Sequence, residues 1–485
     1  MASRFLSNFS FSLVLNLLVK LFWVFQIEVT VQNVLGTEAY GRYFEAFQFA
    51  YIFFILLDLG ISNYNNRTVA GDASKLTSLF PSMLALKLIL GLVYIAFLAG
   101  AAQVMSYDAE AQRLILFVGV NQALMSLMLF LRSNVSGLHL YKTDAVLSVL
   151  DRLVMGLICA AMLFLPWLDS FSIDHFLWAQ FIGYATAVLL AFVTLFNKGI
   201  QPKLVFKFSL LKDILHKSYT FALLFFLMGL YTRVDSVMLG RLLENGEFET
   251  GLYASAFRIL DAAIIFTVLL SNLLLPMFSR FLAKGEDPAP LVRESYRVVL
   301  VVATILPLAT WFFSDELYAL MYKHNQEAGG PLFGFLMLNF IPMAFGYIFG
   351  TLLTAKGEMK LLNLISVGGL ALNLALNFWL IPKHGAMGAT AATILTQSLV
   401  TISTIYFTCR FFKLGIYDFL SIRVISFVVS SIGVFYLVAK LEWSLWPSLV
   451  LAGLGAAAMS LLFRVFNWRE LLDMIRLGKG SSSTT

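Results

Sequence analysis

The feature that most limits what this chain can fold into is a run of apolar windows, each long enough to cross a bilayer. A spanning helix needs about 20 mostly apolar residues. Fourteen such windows follow one another: 11–33, 44–64, 80–102, 114–136, 145–167, 176–196, 218–240, 252–276, 296–314, 331–354, 360–382, 387–409, 418–438 and 444–464. Composition agrees. Of 485 residues, 60% are hydrophobic and 13% charged, with mean hydropathy +0.83, whereas a soluble domain has roughly 45–50% apolar and about 25% charged residues. So large an apolar excess excludes a secreted disulfide scaffold and a nucleic-acid module, and it argues against a soluble enzyme. The first window is too long for a cleaved signal peptide and no small-x-small site follows it closely, so it reads as a membrane helix. The expected fold is an all-α polytopic membrane protein of about fourteen transmembrane helices.

Charge gives the orientation. With the N-terminus inside, cytoplasmic segments and inner helix ends carry 23 of the 34 Lys and Arg, outer loops carry 6, and 5 lie inside spans. This bias follows the positive-inside rule and places both termini in the cytoplasm. Trp167, Trp178, Trp311, Trp379, Trp443 and Trp446 fall near outer helix ends and Trp468 near the inner interface, where an amphipathic ring sits at the headgroups. Trp23 is the exception, in mid-helix. The net charge of +6 belongs to such loops and does not imply nucleic acid. Cys159 and Cys409, the two cysteines, predict neither a disulfide framework nor a thiolate metal site.

The longest cytoplasmic connection, 197–217, holds five lysines: Lys198, Lys203, Lys207, Lys212 and Lys217. It reads as a solvated loop or as an anchor on anionic lipid. It also divides twelve helices into two sets of six. A repeat supports the division. Gly41-Arg42-Tyr43-Phe44-Glu45-Ala46 and Gly251-Leu252-Tyr253-Ala254-Ser255-Ala256 share Gly-x-Tyr-x-x-Ala at a distance of 210 residues. Each opens the second helix of its six, and a Leu-Gly pair precedes each (Leu35-Gly36, Leu239-Gly240). Six helices per unit make the repeat parallel, with its axis along the membrane normal. The expected organisation is an N-lobe at 1–205, a C-lobe at 206–412, two additional helices at 413–466 and a cytoplasmic tail at 467–485. The end of that tail, 478–485, is small and polar and reads as disordered.

Enzyme signatures are absent. There is no HExxH, and Gly478-Lys479-Gly480 lacks the upstream glycine of a phosphate-binding loop because Asp473 stands there. His139, His175, His216, His324 and His384 all fall in loops, which argues against an intramembrane metal or His proton relay. Without a nucleotide-binding domain, transport must draw on an ion gradient, the membrane potential or the substrate gradient.

Ionisable residues inside spans are the main functional signal, since each costs roughly 2.5–3.5 kcal/mol at a helix centre and needs a partner or an aqueous cavity. They are Lys20 and Glu28, Asp58, Lys87, Asp151 and Arg152, Arg233 and Asp235, and Arg258 and Asp261. Asn16, Lys20, Glu28 and Gln32 form a broad polar face on span one. It reads as lining a central cavity or as interhelical hydrogen bonding. Arg258 and Asp261 are neighbours on one helix and read as an internal ion pair. Arg233 and Asp235 point to different sides, so each needs another partner or a substrate group, and Asp151-Arg152 raises the same question. Asp58, alone in its span, is a candidate for ion coupling. Lys87 reads as snorkelling to the inner surface. Pro276, Pro307 and Pro342 permit kinks in spans eight to ten. The small residues 385–392 read as packing.

Several stretches resemble the multidrug/oligosaccharidyl-lipid/polysaccharide superfamily, in its O-antigen flippase branch. They are Leu35 to Tyr43, Leu57-Asp58-Leu59-Gly60-Ile61, Asp235-Ser236-Val237-Met238-Leu239-Gly240, Gly251 to Ala256, and Ile381 to Ala389 with its Pro-x-x-Gly-x-x-Gly-Ala turn. The resemblance implies two six-helix lobes around a central cavity. It implies flipping of an undecaprenyl-diphosphate-linked oligosaccharide from the inner to the outer leaflet of a bacterial cytoplasmic membrane. It implies no resident cofactor beyond a coupling proton or Na+. The lipid bilayer, a polysaccharide polymerase and a chain-length regulator are the implied partners. Lys20, Arg152, Arg233 and Arg258 are by position the implied diphosphate-binding bases, since a guanidinium fork suits phosphate. Glu28, Asp58, Asp151, Asp235 and Asp261 are the ion-coupling candidates. Each base has an acid nearby, which departs from a purely cationic cavity. A small-cation or drug exporter of the same superfamily is the second reading, against which the two extra C-terminal helices speak. A membrane polymerase or acyltransferase is the third, and it leaves the repeat unexplained.

Overall fold

The computed structural model describes residues 18–62, 65, 75–165, 170–201, 203–206, 208–415, 417 and 419–465. Among these there is no strand. The helices in chain order are α1 (Leu18–Leu35), α2 (Thr37–Ile52), α3 (Lys75–Val104), α4 (Ala109–Gly137), α5 (Tyr141–Phe164), α6 (Ile173–Phe196), α7 (Phe208–Leu242) and α8 (Gly246–Ala283). Then come α9 (Ala289–Phe312), α10 (Ser314–Met321), α11 (Gln326–Met337), α12 (Phe340–Lys356), α13 (Met359–Phe412), α14 (Ile422–Ala439) and α15 (Leu445–Leu462). With α11 and α12 taken as one, twelve of the described segments are long and apolar enough to cross a membrane. The all-α polytopic reading stands.

The step from twelve to fourteen lies at two breaks. The 54 residues of α13 hold one non-helical residue, Gly385, at φ 53° and ψ −134°. Pro382 precedes it, and an added Cβ on Gly388 would overlap the Leu380 carbonyl. This is the turn expected between 382 and 387, so α13 is two spans. The window 44–64 is not one continuous helix. It ends as α-helix at Ile52, tightens to a 3₁₀ turn at Phe54–Leu57 and unwinds through Asp58, Leu59 and Gly60. A second correction concerns the connection 197–217: α7 already begins at Phe208, so the loop is shorter than expected. Lys198, Lys203 and Lys212 are exposed. Window 331–354 is broken between Met337 and Phe340.

Two compact units are present, Met1–Gly251 and Leu252–Thr485. The lobes 1–205 and 206–412 are a division by sequence symmetry. Compactness divides the chain later because the end of α7 packs against α2 within the first unit. In that unit Phe80, Leu84, Phe130, Leu131 and Ala187 bring α3, α4 and α6 into one apolar core. In the second, Phe313, Phe435, Ala452 and Ala456 join the end of α9 to α14 and α15. Trp178, Trp311, Trp379, Trp443 and Trp446 are all exposed. Trp167 and the tail 467–485 lie outside the described residues.

Candidate functional site

The first unit gathers five of the expected site residues into two polar centres. The first centre spans α1, α4, α5 and α6. Six residues of α1, Trp23–Glu28, form a wide π-helical turn, a feature that recurs at functional positions. Trp23, at the start of that turn, stacks on Phe176 of α6 with centroids 6.1 Å apart. Glu28 ends the turn. It is buried, and the Tyr40 hydroxyl donates to its Oε1 at 3.4 Å. Lys20 lies in the repulsive field of Arg152 and Arg132 and the attractive field of Asp151. Asp151 is buried, while the Arg152 side chain is 31% exposed and reaches Asp151 Oδ2 at 3.5 Å. Asp151 Oδ1 is buried with no hydrogen-bond partner among the described residues. The Tyr184 hydroxyl stands in the field of Asp151, Arg152, Tyr43 and Glu28. Gln180 donates to the Tyr43 hydroxyl at 2.8 Å.

In this arrangement Arg152 reaches the buried Asp151, and Lys20 lies half-buried on α1. Arg132 of α4 donates to Asp144 of α5 at 2.9 Å. The centre thus sets a partly exposed guanidinium beside a buried carboxylate.

The second centre is Asp58 with Lys87, and it corrects one expectation. Lys87 does not snorkel. Its side chain is 2% exposed and its ammonium reaches Asp58 Oδ1 at 2.5 Å. Asp58 therefore has a partner from α3. Lys87 also donates to the Leu57 carbonyl at 3.0 Å and to Ser126 Oγ at 2.9 Å. Asp58 accepts from the hydroxyl and the amide of Ser62.

The remaining residues are distributed. Arg233 is half-buried on α7, its guanidinium 5.3 Å from the Tyr51 ring centroid, a cation–π geometry. Asp235 is fully buried two residues on. Arg258 and Asp261 lie one turn apart on α8, both half-buried, in the second unit.

Two features escaped the sequence reading. One is a charged cluster of the first unit. Arg42 bridges Glu247 at 2.6 Å and Glu110 at 3.1 Å. The Tyr107 hydroxyl donates to buried Glu45 at 2.7 Å, and Arg241 lies 4.7 Å from the Tyr107 ring centroid while donating to the Met105 carbonyl. Burial first, then the Glu45 carboxylate, raises the Tyr107 phenol above its ordinary pKa. The hydrogen bond to Glu247 raises the Arg42 guanidinium likewise. The other is the buried polar face of α13: Asn363, Ser366, Asn373, Asn377, Thr390, Thr393, Thr396, Gln397, Thr401, Thr404 and Thr408. Its signal was a recurrence at three and four residues of polar but uncharged side chains, which a search for charges passes over. Thr401 donates from this face to the Pro342 carbonyl at 2.7 Å, and such bonds join membrane helices.

Helices throughout, spans broken at 53–60 and Gly385, and charges paired inside spans define a multi-pass α-helical membrane protein. Residues 5–282, more than half of the chain, match the family model described as "Polysaccharide biosynthesis protein", and the chain belongs to that family. It is 27% identical over 215 residues to the lipid III flippase of Escherichia coli (strain K12), covering 44% of this chain and 51% of that protein. The chain thus spans about half the length of the curated relatives it matches. In fold it is similar to the lipid II flippase MurJ in an inward closed conformation, with TM-score 0.74, 13% identity, and 96% of this chain and 99% of that chain covered. An inward-facing multidrug resistance MATE family transporter of the MOP superfamily is similar at TM-score 0.64 and 13% identity, with 82% and 98% covered. The fold is therefore that of these transporters.

Proposed function

We propose that this protein is a transporter, not an enzyme, and that it flips a lipid-linked oligosaccharide. The substrate class is an undecaprenyl-diphosphate-linked repeat unit, moved from the cytoplasmic to the outer leaflet by alternating access. The product feeds synthesis of a surface polysaccharide such as O-antigen, capsule or exopolysaccharide. The protein resides in a bacterial cytoplasmic membrane with both termini inside, and it works beside a polysaccharide polymerase and a chain-length regulator. The observation that carries the reading is the Arg152–Asp151 pair, a partly exposed guanidinium beside a buried carboxylate inside a span of a polysaccharide biosynthesis family member. A diphosphate offers two adjacent anionic groups, and a forked guanidinium on a partly exposed side chain suits one of them.

Arg233 and Arg258 are the further substrate-binding candidates. Glu28, Asp151, Asp235 and Asp261 are the candidates for a coupling proton or Na+, with Asp58 held apart by its own lysine. A base that must accept a diphosphate in one state and release it in another needs a competing acid nearby. The Asp151–Arg152 pair supplies one at 3.5 Å.

A second reading, export of small cations, is favoured by the unpartnered Asp151 Oδ1. The deciding experiment is a deletion strain complemented with the wild type, reading surface glycan and the lipid-linked sugar pool. Loss of surface glycan with repeat units trapped on the inner leaflet supports the flippase. Normal surface glycan with new sensitivity to cationic dyes sinks it and favours the exporter.

A further inference from the structure

The Asp58–Lys87 centre sits where the helix of the second window comes apart. After the 3₁₀ turn, Asp58 takes φ −124°, Leu59 φ 46° and Gly60 φ 90°. A left-handed conformation strains leucine, which has a Cβ, and costs nothing comparable at glycine. Such strain persists where the surrounding structure holds it. Here the result is a peptide carbonyl, Leu57 O, turned to Lys87 and Ser126. In secondary transporters, unwound backbone carbonyls coordinate the coupling Na+ or H+.

Around the Lys87 nitrogen stand Asp58 Oδ1 at 2.5 Å, Leu57 O at 3.0 Å and Ser126 Oγ at 2.9 Å. Ser62 Oγ stands one step out, donating to the same Asp58 oxygen. All of these are hard oxygen donors, and one is anionic. An ammonium has three N–H groups, and each finds one oxygen. The ring of Phe130, 6.0 Å from the nitrogen, closes another side. Asp58 is the acid that Lys87 reaches among the described residues, so the centre pairs one acid with one base.

We infer that the unwound segment at 53–60, with Asp58 and Ser126, is a monovalent-cation site that the chain fills with its own Lys87 ammonium. The tethered head group takes the place a free sodium ion would occupy. The site therefore needs no ion from solution. This inference is independent of what the protein carries, because it concerns occupancy and not transport.

The test is thermal unfolding of the purified full chain in detergent, in NaCl, methylammonium chloride or choline chloride at equal ionic strength. In Lys87→Ala, Na+ and methylammonium raise Tm saturably by several degrees over choline. The wild type shows no such rise, and Lys87→Ala combined with Asp58→Asn loses it. A Lys87→Ala protein indifferent to both cations overturns the inference. Should that variant not fold, binding of radioactive Na+ to the wild type and to the Lys87→Met and Asp58→Leu double variant decides. Wild-type binding that the double variant loses overturns the inference, and equal binding by the two proteins supports it.

Discussion

Gly41 and Gly251 pack backbone against backbone, each in the same way on the other. An added Cβ on Gly41 would overlap the carbonyl of Glu247, four residues before Gly251. One on Gly251 would overlap the carbonyl of Thr37, four residues before Gly41. The two copies of Gly-x-Tyr-x-x-Ala thus begin at the point where their helices cross, and glycine is needed there for approach rather than for φ. Gly41→Val or Gly251→Val is expected to cost about 1–3 kcal/mol, the usual cost of overpacking. Thermal unfolding of the purified protein checks this. Gly91→Ala is the control, since no atom stands within 4 Å of a Cβ added there, and a helical Gly→Ala change gains roughly 0.5–1 kcal/mol.

Tyr107→Phe tests the charged cluster around Arg42 and Glu45 by another route. Glu45 is 8% exposed and its carboxylate accepts from the Tyr107 hydroxyl. Removing that donor leaves a buried acceptor unsatisfied, at about 1–3 kcal/mol. The sign of the pH effect follows from the raised phenol. A folded pKa above the unfolded value gives stability that is complete below the unfolded phenol's pKa of about 10 and lost as pH rises beyond it. Wild-type Tm is expected to fall above that pH, and Tyr107→Phe to lose this part of the slope.

Arg152→Ala and Lys20→Ala are expected to reduce surface glycan in the complemented deletion strain, with protein levels unchanged. Arg152 is the more sensitive, being the partly exposed base beside Asp151. Arg152→Lys keeps the charge but not the fork, and a lysine does not replace a bidentate arginine. It should rescue only partly. Full rescue by lysine would reduce the role of Arg152 to a point charge, and wild-type glycan in Arg152→Ala would remove it from the substrate site.

Much of this was legible in the sequence because a membrane leaves few choices. Apolar length gives the spans, and the turn at Gly385 showed in the Pro-x-x-Gly spacing from Pro382. Lys20, Glu28, Asp151 and Arg152 showed because charge inside a span is costly enough to demand a reason. Their convergence on one centre did not show, since spacing along a helix says nothing of which helix lies opposite. The partner of Lys87 was hidden for the same cause. A lone lysine near the inner end of a span fits snorkelling and burial equally, until the strained turn at Leu59 and Gly60 brings the Leu57 carbonyl to it. The repeat was visible as six residues, yet the reciprocal contact of its glycines needed the fold.

The Asp58–Lys87 pair makes the last prediction. Removing one member of a buried ion pair leaves an uncompensated charge and costs about 3–5 kcal/mol, whereas replacing both with apolar residues of similar volume is often neutral. Asp58→Leu alone strands an ammonium that is 2% exposed, and that variant should unfold at much lower temperature or fail to accumulate. Asp58→Leu with Lys87→Met should recover most of the loss. The double-mutant cycle then separates two roles. If the double variant is stable and still restores surface glycan, the pair serves only to neutralise itself. If it is stable and surface glycan is lost, the unwound segment needs its cation for the transport cycle. A double variant no more stable than Asp58→Leu would mean that Leu57 O and Ser126 Oγ, which Lys87 also holds, depend on the ammonium as much as Asp58 does.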